Sequence, residues 1–386
     1  MVDRRILEGM KVVDFTRVVA GPYATRILAD MGADVVKIDS PVGAGGGQSE
    51  SGTRRSAGSV ENNLGKRSIV IDLKSENGIE VARALAVQAD VLVENFSPGV
   101  MEQMGLGYEV LHALNSRLIY ASISGFGHGN SSSHRRAFGA TAHAEAGWLW
   151  AQQQAAGTAE PFAPGVTVAD LITGTLSFSG ILAALLDRER TGLGQHVDVS
   201  LMDGQLQLIS QLASEALNGR TEADWQPFRH PIHRASDGGN LSINIGTPRH
   251  FRRIAEGLGH GGAAMPESGP AANAQVKEWV AAITTSAAAA GLEAAGAAYG
   301  VVRSMPEAVR DPFFVERGMI IEVDDPIDGR YRGVSSAMFF SDATSAPSGA
   351  APLAGEHSRE LLEQLGYDAD KVESLLDRAV VQHPAV

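Results

Sequence analysis

"MKVVDFTRVVAGPYATRILADMGADVVKID", residues 10–39, decides the fold. Apolar side chains crowd 10–16, as they do in a strand buried on both faces. Gly21-Pro22 then opens a helix and Gly32 closes it, proline sitting near the start and glycine at the end. "ADVVKID" (33–39) is a second strand. A strand, a helix and a strand in so short a stretch make a βαβ unit, which requires a parallel sheet with a crossover helix.

Outward from there the alternation repeats. "RSIVIDL" (67–73) is a strand, "NGIEVARALAVQA" a helix and "DVLVENF" (90–96) a strand. Helices through "PGVMEQMG" and "YEVLHALN" lead to the strand "RLIYASISGFG" (117–127). The pattern is that of an α/β domain with a doubly wound sheet. "LITGTLSFSGILAALLDRER" reads as a long, mostly buried helix, and "GQHVDVSLMDG" as a strand entering another helix. Composition shifts at 225–259, which carries prolines, many basic residues and a hairpin-like "SDGGN" turn, and alanine-rich helices follow to about 298. This gives a division into a large domain, 1–224 with 326–386, and a smaller α+β domain, 225–325. The amphipathic tail "GEHSRELLEQLGYDADKVESLLDRAVV" is expected to pack back on the large domain.

Bulk properties narrow the function. The chain has 386 residues, 44% hydrophobic and 20% charged, the composition of a globular protein. Its formal net charge of −13 disfavours nucleic acid or an anionic membrane as the main partner. The absence of cysteine excludes disulfides, thiolate nucleophiles and cysteine-held metals. No signal-like segment and no uninterrupted apolar run of membrane-spanning length are read in the sequence, so the expected location is the cytoplasm.

Several segments could carry chemistry. Asp170 is a lone carboxylate in "PGVTVADLITG" (164–174), just before the long helix. Position alone favours an N-cap; the compatible functional reading is a nucleophile or base whose ionised form the helix start favours. "VGAGGGQ" (42–48) is a flexible glycine loop, able to let a lid move, rather than a dinucleotide fingerprint, which belongs at the first strand-to-helix turn. Lys66, Arg67 and Lys74 form a basic cluster, either a solvated strand edge or a phosphate patch. Asn95 and Phe96 end a strand, where open α/β sheets bind ligands. His143 and Glu145 could act as acid and base, though their two-residue spacing points them apart on a helix, and His143 reads foremost as a buried, satisfied histidine. No metal-ligand spacing is present.

Six phrases in order, "LEGMKVVDFTRVVAGPYATRILADMGADVVKID", "NLGKRSIVIDLK", "DVLVENFSPGVMEQMGLGYEVL", "RLIYASISGFG", "GILAALLDRERTGLGQHVDVSLMDG" and "APLAGEHSRELLEQLGY", resemble the family III CoA-transferases, which include formyl-CoA and carnitine CoA-transferases and α-methylacyl-CoA racemase. The resemblance implies a Rossmann-like large domain built from both chain ends, a small domain and an interlocked homodimer. It implies an acyl-CoA and a small carboxylic acid as substrates, coenzyme A being substrate with no permanently bound cofactor. Asp170 falls where these transferases carry their catalytic aspartate. By position, Val18, Val19, Ala20, Ile71, Lys74, Asn95, Phe96 and Arg136 would face CoA. Two arginines of the relatives are Ser40 and Gln103 here, so phosphate contacts are expected from Arg136, Arg135 or Lys74. Phe138 and Gly139 replace a tyrosine and an acidic residue of formyl-CoA transferase, and racemases carry a histidine where Phe138 stands, which favours transfer over α-proton exchange. Two other readings stay open at this point: racemisation assisted by His143, and a non-catalytic acyl-CoA-binding protein on the same fold.

Overall fold

In the computed structural model, which describes residues 4–41, 55–163, 165–225, 231–327 and 329–384, β1 (Lys11–Asp14) and β2 (Asp34–Asp39) pair in parallel, with Val12 opposite Val35 and Val13 opposite Val36. The Ala20–Asp30 helix is their crossover. β1 stops at Asp14, short of the expected strand: the Phe15 amide makes the last ladder bond, to the Val93 carbonyl, and the Thr16 amide turns back onto the Asp14 carboxylate. Gly21 is needed for packing rather than for opening the helix: a Cβ there would lie 2.3 Å from the Thr16 Cβ. Gly32 does end the helix in the left-handed region, at φ 100°.

β3 (Arg67–Ile71), β4 (Val91–Glu94), β5 (Ile119–Ser124) and β6 (His196–Ser200) extend the parallel sheet. Alternate residues feed two cores. Val13, Val36, Ile38, Ile69, Ile71 and Leu92 lie in one, and Val12, Val35, Val91, Val93 and Ile119 lie in the other. The second is covered by the Ala20–Asp30 and Val168–Thr191 helices, which supply Ala24, Leu28, Phe178, Ile181 and Leu185. The Val168–Thr191 helix is long and apolar enough to cross a membrane by length and composition alone, and half of that window is buried inside the fold.

Two smaller sheets follow among the described residues. β7 (Ile232–Arg234), β8 (Asn240–Ile243) and β9 (Tyr299–Val301) are antiparallel in a compact unit formed by 154–157 and 225–315. The "SDGGN" segment is the β7–β8 turn, closed by the Ala235 amide on the Gly239 carbonyl at 2.8 Å, and Leu241, Ile243, Phe251, Val276 and Leu292 make this unit's core. β10 (Ile320–Asp325) and β11 (Gly329–Val334) form a hairpin. Residues 316–325 therefore belong with 1–153, 158–224 and the C-terminal segment rather than with the smaller unit, tied there by the Arg55–Asp325 ion pair and by Ile321, Val323 and Tyr331 packing on Val60 and Leu64. The tail helices Ser358–Gln364 and Ala369–Asp377 add Leu361, Leu362, Val372 and Leu375 to the first core. β12 (Val381–Gln382) pairs antiparallel with β3, giving the order β12-β3-β2-β1-β4-β5-β6. The glycine-rich 42–48 segment lies outside the described residues.

Candidate active site

The carboxyl ends of β1, β4 and β5 open onto a cavity of about 360 Å³. It is lined by Arg17–Ala20, Asn95–Pro98, Ile123–Gly125, Arg135–Phe138, Asp170 and Leu201. A second hollow, about 390 Å³, faces Glu80, Arg83, Ala84, Val87 and Gln88 on a single helix and brings no nucleophile or converging polar groups together.

The β1 wall is built on a buried carboxylate. Asp14 accepts from the Thr16 amide at 2.8 Å, the Thr25 hydroxyl at 2.7 Å and Lys66 Nζ at 2.9 Å. Burial would raise its carboxyl, but the Lys66 ammonium and the two hydroxyls outweigh that and hold it below the usual carboxylate range. The loop so anchored carries Val18 in the left-handed region at φ 70°, with its side chain 68% exposed toward solvent. Asn95 clamps the same loop from β4: its Oδ1 accepts from the Arg17 amide at 2.8 Å and its Nδ2 donates to the Arg17 carbonyl at 2.7 Å.

Asp170 is placed by the start of the Val168–Thr191 helix, yet it is not the cap. Thr167 holds that position without a side-chain bond, and Asp170 is the third helical residue. The Ala169 amide is satisfied instead by His143 Nε2 at 3.0 Å. Asp170 is 8% exposed, and burial pushes its carboxyl above the ordinary range, partly offset by its own backbone amide. Desolvation thus outweighs the preference of a helix start for the anion. Gly139 leaves the room that this carboxylate occupies.

Val18, Val19, Ala20, Asn95, Phe96, Arg136 and Asp170 therefore come together on one cavity. Ile71 does not: it is fully buried in the first core and offers no surface to a ligand. Lys74 is exposed on the turn after β3 and is not among the lining residues. The basic cluster also dissolves, because β3 lies inside the sheet. Lys66 is buried on Asp14, and Arg67 pairs with Asp34 at 2.5 Å and Glu360 at 3.2 Å. His143 and Glu145 point apart. His143 is buried behind the site, its imidazole held below its usual pKa by burial, and does not line the cavity. Glu145 chelates Arg135 at 2.9 and 2.6 Å. An opposed acid–base pair for α-proton exchange is thus not among the described lining residues.

Sequence reasoning passed over Arg17, Ser124 and Gly125. Ser124 ends β5 and Gly125 follows it, so the rule that ligands bind at strand carboxyl ends would have found them.

The family model of CoA-transferase family III matches residues 7–358. Succinyl-CoA:glutarate CoA-transferase of Mus musculus is 31% identical, over 97% of this chain and 90% of its own length. Succinyl-CoA:mesaconate CoA-transferase of Haloarcula marismortui is 33% identical, over 95% and 99%. Formyl-CoA:oxalate CoA-transferase of Shigella sonnei is 31% identical, over 96% and 98%. A crystal structure of a CAIB/BAIF family protein from Brucella suis superposes with a TM-score of 0.79 at 31% identity, covering 94% of this chain and 100% of that one.

Proposed function

This chain belongs to CoA-transferase family III, and from that premise we propose that Asp170 is the carboxylate through which it moves CoA from an acyl-CoA to a free acid. The observation that carries the proposal is the placement of a partly desolvated carboxylate in the wall of a cavity at the sheet's carboxyl edge, with Gly139 clearing space beside it.

One Asp170 oxygen attacks the thioester carbonyl of the donor. The tetrahedral oxyanion collapses with loss of CoA thiolate, leaving an acyl-aspartyl anhydride. The thiolate then attacks the aspartyl carbonyl, the donor acid leaves as its carboxylate, and Asp170 becomes a CoA thioester. The acceptor carboxylate attacks that thioester, expels thiolate and forms a second anhydride. The thiolate finally attacks the acceptor's carbonyl, releasing the new acyl-CoA and the free Asp170 carboxylate. Each step exchanges acyl species of similar energy, and splitting one transfer into such steps is what covalent catalysis supplies. Burial suits the nucleophile, because an anion stripped of water has no solvation shell to lose before it attacks.

Arg136, exposed and on the cavity rim, is the proposed contact for a CoA phosphate, and Val18–Ala20, Asn95 and Phe96 are proposed to flank the pantetheine arm. The relatives' names pair succinyl-CoA with glutarate or mesaconate, and formyl-CoA with oxalate, so dicarboxylic acids are the first acceptors to test. An interlocked homodimer, with a Rossmann-like large domain and a smaller one, is part of the same reading. Large apolar side chains such as Leu217, 86% exposed, and Met305, 73% exposed, support a further buried surface.

The test is CoA exchange between acyl-CoAs and isotopically labelled acids, read by mass spectrometry. Asp170→Asn is expected to lower the rate by about 10³-fold or more. Undiminished exchange in that variant would refute the role of Asp170.

A further inference from the structure

One cation in the cavity wall remains unused. Arg17 is half-buried, and among the described residues no carboxylate pairs with it. Arg135 on the same cavity is neutralised by Glu145, Arg26 is held by Asp30 and Arg67 by Asp34. Arg17 instead rests one guanidinium nitrogen on the neutral hydroxyl of Ser40, and the carbon of its guanidinium lies 5.2 Å from the centre of the Phe96 ring.

Its geometry is fixed from three sides. Asn95 holds its backbone amide and carbonyl at once, Thr16 beside it is locked to the buried Asp14, and the Phe96 ring sets the plane over which the guanidinium spreads. The Phe96 amide is in turn held by Glu94 at 2.9 Å. A guanidinium ordered before a ligand arrives, with N–H donors left over and no competing carboxylate, is suited to take an oxyanion in the two-pronged manner that arginine allows.

We propose that Arg17 is a substrate-binding residue that takes up an oxyanion group, either a phosphate of CoA or the second carboxylate of a dicarboxylic acyl group. The proposal rests on reading the cavity as the CoA-transfer site, and it concerns binding rather than the covalent steps.

The experiment is calorimetric binding in an Asp170→Asn background, which cannot form the anhydride. The probes are succinyl-CoA, butyryl-CoA and the succinyl and butyryl esters of pantetheine. Arg17→Gln is expected to weaken binding about 10- to 100-fold wherever the recognised oxyanion is present. Loss with both CoA esters and with neither pantetheine ester assigns Arg17 to a phosphate. Loss with both succinyl esters and with neither butyryl ester assigns it to the acyl carboxylate. Arg17→Lys, which keeps the charge but not the fork, is expected to recover part of the affinity and guards against a folding defect in the glutamine variant. Thermally stable Arg17→Gln protein that binds all four probes within about twofold of its parent overturns the proposal. Because no acyl transfer is needed, this result stands or falls separately from the chemistry at Asp170.

Discussion

A Cβ atom on Gly139 would lie 2.0 Å from Oδ2 of Asp170. No side chain beyond hydrogen fits at 139 while that carboxylate keeps its place. The backbone at the start of the Gly139–Glu145 helix thus bounds the position of the Asp170 carboxylate.

Gly139→Ala is therefore expected to displace Asp170 and lower kcat by about 10²-fold, the scale on which an ångström of misplacement is felt. The φ of Gly139 is not in the left-handed region, so the helix itself tolerates alanine. Steady-state kinetics beside thermal denaturation separates the effects: kcat should fall while the melting temperature moves little. Unchanged kcat would show that Asp170 is not held against this backbone.

The Lys66–Asp14 pair at 2.9 Å is fully buried in both side chains and anchors the loop that carries Arg17–Ala20. Lys66→Met leaves Asp14 charged and unpaired and is expected to cost about 3–5 kcal/mol, measured by urea denaturation. Adding Asp14→Asn should return much of that loss, since the cost lies in the orphaned charge. A single Lys66→Met variant within about 1 kcal/mol of the parent would contradict the anchoring role.

Glu94, next to the cavity residues Asn95 and Phe96, is pushed from 4.5 up to about 7 by burial, against hydrogen bonds from Ser122 and the Phe96 amide. The folded chain thus holds this proton more tightly than the unfolded chain. The stability it contributes is fully present below the unfolded value and is lost as pH rises through about 7. The displacement corresponds to a loss on the order of 3 kcal/mol between pH 4 and pH 8. Glu94→Gln should remove that part of the slope, read as the difference between parent and variant unfolding free energies across the range. Parallel curves would mean that Glu94 binds its proton equally in the folded and the unfolded chain.

Much of the architecture was legible because β1, its crossover helix and β2 carry local signals: apolar runs, and a glycine forced into the left-handed region at Gly32. The same holds for Asn95 and Phe96, which follow from the strand-end rule. What was illegible depends on long-range pairing. Lys66 and Arg67 look like surface charge in sequence. Lys66 is buried because Asp14 reaches it from β1, and Arg67 is half-buried because Asp34 approaches from the neighbouring β2. Ile71 is expected to face CoA only by its position in the family resemblance, and it packs into the core that the tail helices complete. Asp170 was read one turn too early because nothing local shows that His143, on another helix, caps the Ala169 amide. Arg17 was missed because what marks it is visible only in the fold: among the described residues no carboxylate pairs with it, and its guanidinium rests on Ser40.

The central claim, that Asp170 carries the acyl group and then CoA, is tested most directly by incubating the protein with acyl-CoA, trapping with hydroxylamine or borohydride, and mapping the modified peptide by mass spectrometry. The expected result is a hydroxamate or alcohol at Asp170 alone, absent without acyl-CoA and absent in Asp170→Asn. Turnover with an unmodified Asp170, or an adduct mapped to another carboxylate, would contradict it.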